Sequence, residues 1–132
     1  MAYYDIDVYE RKVTTSSRDA QMWFNRGLVW TNAYFHDEAV ACFRRALEAD
    51  PDCAMAHWGV AYAVGPNYNM PWERRDANMR ADTAQTCHAS TQAALALADS
   101  VTPVERALID ALSSRFPQPD ACLLYTSDAA DD

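Results

Sequence analysis

Cys53 and His57 stand four residues apart in the stretch ADPDCAMAHWG, residues 49–59. On a helix that spacing puts a thiol and an imidazole on one face. Such a pair can ligate a soft divalent metal or, as thiolate and base, begin nucleophilic chemistry. A second pair, Cys87 and His88, lies further along. Zinc takes about four nitrogen or sulfur ligands in a tetrahedron. Adjacent helical residues point about 100° apart, so at most three of these four groups would converge. The nucleophile reading lacks a third group to orient the histidine and a glycine-rich turn ahead of the cysteine to hold an oxyanion. Core packing, or a hydrogen bond from His57 to a helix end, therefore ranks ahead of chemistry. Asp37 and Glu38 read as a solvated helix start. No catalytic residue, metal ligand or cofactor is assigned.

The composition says what kind of body must hold these groups. A chain of 132 residues, half hydrophobic and 23% charged, suits one small domain with a real core. Its net charge of −8 argues against nucleic acid and against an anionic membrane surface. Cys42, Cys53, Cys87 and Cys122 form no CxxC pair and read as reduced thiols of a cytoplasmic protein. The start, MAYYDIDVYERK, lacks the basic residues and apolar run of a signal peptide, and no stretch approaches the roughly 20 apolar residues that span a bilayer.

Local patterns then predict about five helices. Residues 1–17 read as an extended lead-in ending in cap chemistry from Thr14 to Ser17. A first helix is expected over 18–33, with Trp23, Gly27, Trp30 and Tyr34 on one stripe. A second follows a turn near 35–37, its apolar face marked by Ala39, Phe43 and Ala46, and Pro51 stops it. A third, over 53–64, is apolar nearly all round and so expects burial on both sides; Gly65-Pro66 ends it. After the loop GPNYNMPW, residues 65–72, a long helix is expected over 73–99. Thr102-Pro103-Val104-Glu105 is a capping box opening a last helix to about 115, with Ala107, Leu108, Ala111 and Leu112 turned inward.

Residues 20–53 resemble a tetratricopeptide repeat, a helix–turn–helix unit of 34 residues. Trp23, Gly27 and Trp30 fill its first-helix signature; Ala39, Phe43, Ala46 and Pro51 fill the second helix and its stop. Arg26 departs, standing where the family usually has leucine. Residues 54–103 form a looser second repeat, delayed by the 65–72 loop, and 104–116 a partial third. The implied fold is all-α, an antiparallel helix–turn–helix array of the α-solenoid kind, about two and a half units over 18–116. The chain is also similar to a group of larger tetratricopeptide proteins with a TTSS…CAMAHWG…GPNYN pattern, which would make it an N-terminal fragment. Residues 117–132 are read as a tail outside the domain. CLLYTSDAADD, residues 122–132, resembles one translated frame of a sequencing adapter and is expected to be artefactual; the alternative is a natural acidic tail.

The resemblance implies a protein-interaction or scaffold module without catalysis, binding a protein or peptide partner, or the chain's own missing C-terminal region, along the concave face. That face should include Phe24, Leu28, Asn32, Trp58 and Tyr62. The competing reading buries the same aromatics against a neighbouring helix. The basic residues that clamp a C-terminal carboxylate in some members are not in register, so an apolar or aromatic segment is the expected ligand. Two rivals stand beside this: a regulatory arm of a larger enzyme, and a small metal-binding helical protein. Tyr68, Met70 and Trp72 of the 65–72 loop are expected to cap the helix pair, ahead of forming a recognition surface.

Overall fold

A computed structural model describes residues 10–66 and 71–117, which form five α-helices and, among the described residues, no strand. In chain order these are α1 (Arg18–Asn32), α2 (His36–Ala49), α3 (Ala54–Val64), α4 (Ala77–Ala96) and α5 (Pro103–Ser113), with single 3-10 turns at Trp72–Arg74 and Ala98–Ser100. The fold is all-α, as the sequence predicts. Residues 1–9, Tyr68 and Met70, and the tail from 118 onward lie outside the described residues.

Each helix begins and ends for a local reason. The Ser17 hydroxyl accepts the Ala20 N–H at 3.1 Å and opens α1, a cap worth about 1 kcal/mol. The α1 exit is a Schellman motif: the Phe35 N–H reaches the Trp30 carbonyl and the Tyr34 N–H that of Thr31. Tyr34 takes the left-handed conformation this requires, at φ 64°. It is therefore 62% exposed beyond the helix end and no longer on the stripe of Trp23, Gly27 and Trp30. Phe35 meets Trp30 edge-on at 5.4 Å and closes the motif. Pro51 sits in the turn after α2. At the end of α3 the Arg75 guanidinium donates to the carbonyls of Val64 and Gly65 and to the Thr83 hydroxyl, covering acceptors the helix leaves open.

Two expectations need correction. The long helix begins at Ala77, not 73, because Asp76 caps it by accepting the Met79 N–H, and because Trp72 turns into the core ahead of it, only 2% exposed. Of the three large loop residues, Trp72 thus folds back as a cap. The inward face of α5 is also rotated. Glu105, Ile109 and Leu112 are buried, with Phe116 beyond the helix, whereas Ala107, Leu108 and Ala111 are exposed.

Short turns make α1 pack on α2 and α2 on α3; α4 packs on α3 after the longer connection over 65–76, and α1 and α5 also touch α3. Phe43 is fully buried where α1, α2 and α3 meet, and small residues let it in. A methyl group added at Gly27 would run into its ring, and one at Gly59 would lie 2.6 Å from it. Ala39 and Ala46 are likewise fully buried on α2. Arg26, the departure from the repeat signature, covers the Trp23 ring at 4.9 Å, and Arg45 covers it at 4.8 Å. A second cluster of Ala61, Trp72, Cys87, Leu112 and Phe116 closes the other end. Among the described residues no helix is long and apolar enough to cross a membrane.

Candidate partner-binding groove

The thiols and imidazoles singled out from the sequence are each used locally. Cys53 is fully buried at the start of α3, and burial, above all, pushes its thiol up. His57 turns back to the inter-helix turn, its Nε2 2.9 Å from the Pro51 carbonyl, so that nitrogen carries the proton. Cys87 donates to the Ala61 carbonyl at 3.5 Å, and burial pushes it up to about 12. His88 Nδ1 lies 2.9 Å from the Phe116 carbonyl. Cys53 and His57 sit at the start of α3, and Cys87 and His88 in the middle of α4. Among the described residues no cluster of three or more histidine, cysteine or acidic side chains is placed to hold a metal ion.

The residues expected on the concave face come together more closely. Phe24, Leu28 and Asn32 repeat every four residues along α1 and so lie on one stripe. With Trp58 of α3 they line one cleft of about 320 Å³, whose other wall is Val104 and Leu108 of α5. Three alternate helices therefore build it. Leu108, expected in the core, serves here instead. The Trp58 indole N–H donates to the Leu108 carbonyl at 3.2 Å, which fixes the ring across the cleft.

Two of the five candidates need a correction of place. Phe24 is only 1% exposed and packs on Phe43 at 5.5 Å between ring centres. It forms the floor of the cleft and belongs to the core. Tyr62 is 47% exposed and stacks on Trp58 at 5.0 Å. It faces a neighbouring cleft of about 290 Å³ shared with Asn32, Tyr34, His36 and Arg115. The Trp58–Tyr62 stack thus separates two hollows, and Asn32 lines both.

Sequence reasoning missed a charged group at the edge of the cleft between α1, α3 and α5. Glu105 was legible only as the third residue of the α5 capping box, in which it accepts the Thr102 N–H at 2.9 Å. It also accepts the N–H and hydroxyl of Thr14, 91 residues away. Burial pushes its carboxyl up, but these hydrogen bonds outweigh it and hold the group below the ordinary carboxylate range. No local signal could announce this contact, because its partner sits in the lead-in. No family model matches the chain, and no curated protein or solved structure matches it.

Proposed function

We propose that the chain is a cytoplasmic interaction module of the tetratricopeptide type. It binds an apolar or aromatic segment of a protein or peptide in the cleft between α1, α3 and α5 and performs no catalysis of its own. The observation that carries this reading is that Leu28, Asn32 and Trp58, chosen as partner-facing from the repeat register alone, line a single cleft. Leu28, Met55, Trp58 and Leu108 give the cleft an apolar surface that suits an apolar ligand segment, with Arg11, Lys12, Asn32 and Glu105 beside it. Cys42, Cys53 and Cys87 are buried with thiols pushed up, which leaves little thiolate at neutral pH and speaks against a cysteine nucleophile. The chain's acidity supports a protein rather than a nucleic-acid partner.

A random peptide library displayed against the immobilised chain tests this. Enriched peptides should carry apolar or aromatic residues, and their affinity should fall about 10-fold or more on Trp58→Ala, a loss of about 1.4 kcal/mol. Leu108→Ser, at a half-exposed position, should act in the same direction without disturbing the core. Enriched peptides that bind both variants as tightly as the parent would place recognition elsewhere and reject the proposal.

A further inference from the structure

The segment Arg11–Thr14 lies outside the helices, yet side chains hold the main chain of Arg11, Val13 and Thr14. Gln21 and Asn25, one turn apart on α1, act as a carboxamide pair. Gln21 Oε1 accepts the Val13 N–H at 3.0 Å, and Gln21 Nε2 donates to the Arg11 carbonyl at 2.8 Å. Asn25 Oδ1 accepts the Arg11 N–H at 3.2 Å and is itself fixed by Gln21 Nε2 at 2.9 Å. The next residue, Thr14, gives its N–H and its hydroxyl to Glu105. Val13 is buried, while Arg11, Lys12 and Thr14 are exposed. This is how an extended peptide is read: main-chain groups supply the hold, and one apolar socket and one hydroxyl acceptor supply the selectivity.

The segment also forms a wall between two hollows. On one side is the cleft between α1, α3 and α5, which Arg11, Lys12 and Val13 help to line. On the other is a more polar one of about 380 Å³, lined by Lys12, Thr15, Gln21 and Asn25 among others. Lys12 borders both, so removing the segment would join them along the inner face of α1.

We infer that Arg11–Thr14 is an internal occupant of an extended-peptide site on α1, and that the external ligand of the groove is an extended peptide bearing a β-branched apolar residue followed by serine or threonine, which displaces it. This rests on the reading of the groove as a protein-binding site and specifies the ligand's form. With a single apolar side chain buried and no helical hydrogen bonds of its own, the segment can open without unfolding the helices. An occupied site lowers the apparent affinity for an outside ligand in proportion to the open fraction.

The test uses the full chain and a fluorescein-labelled peptide ERKVTTSS, the chain's own residues 10–17, followed by fluorescence anisotropy. Val13→Ser and Val13→Asp should each loosen the segment, and both should bind the peptide about 10-fold or more tightly than the parent does. Adding Gln21→Ala and Asn25→Ala should abolish that gain. Circular dichroism checks that helicity is kept; if Val13→Asp does not fold, the milder Val13→Ser carries the comparison. Equal binding by parent and variants, binding by none, or a gain that survives replacement of Gln21 and Asn25 would overturn the inference. None of these results touches the library experiment, which turns on Trp58 and not on the carboxamide pair, so the two readings fail separately.

Discussion

Two single residues carry consequences out of proportion to their size. Phe43 has no room to retreat, so the methyl of Gly27→Ala must push its ring or part α1 from α2. Overpacking of this kind costs about 1–3 kcal/mol, and urea denaturation should show a lower midpoint with an unchanged slope. Glu105 makes a pH-dependent contribution. Its folded carboxyl is held below its unfolded value, so its stabilisation is complete above the ordinary carboxylate range and is lost as pH falls through the folded value. Stability should decline on acidification below about pH 5, and Glu105→Gln should flatten that decline. At pH 7 the same substitution should cost about 1–3 kcal/mol, since an amide can accept from fewer donors and turns its own N–H groups toward the Thr14 N–H. Equal acid slopes in the two proteins would contradict this. The two residues were unequally legible. Gly27 and Phe43 stand at a repeating spacing that a sequence displays, whereas the inward turn of Glu105 depends on Thr14, which no window around α5 contains.

Among the elements, helix starts were the most legible feature and helix faces the least. Ser17 and Thr102 open α1 and α5 as read, because a cap is decided by residues within three positions of it. The α4 start was misplaced by the charged run after Trp72, which looks helical locally but is held in a 3-10 turn by that buried indole. The α5 face was misread because alanine and leucine at 107, 108 and 111 outweighed a charged residue at 105, yet the buried ladder runs through Glu105, Ile109 and Leu112. Tyr34 shows a local conflict that the sequence concealed. It fills the left-handed position of the α1 exit, where glycine carries no steric penalty. Tyr34→Gly should therefore raise stability by about 1 kcal/mol, read as a higher melting temperature. A lower one would mean that the Tyr34 ring, 6.2 Å from that of His36, contributes more than its backbone costs.

At the scale of the whole molecule, alternate helices make the cleft over a core to which all five helices contribute. No single helix pair could build the cleft: Leu28 comes from α1, Trp58 from α3 and Leu108 from α5, and Phe43 of α2 sits beneath them against α1 and α3. The four tryptophans mark different regions of the molecule: Trp58 on the cleft, Trp23 between two arginines, Trp30 against Phe35 and Trp72 in the core. The most direct test of the binding assignment is to titrate a library-selected peptide into the 15N-labelled chain and follow the four indole N–H resonances. Movement of the Trp58 signal, with Trp23 and Trp30 still, is the predicted result. Movement of Trp23 or Trp30 with Trp58 unchanged would put the partner on another face and contradict it.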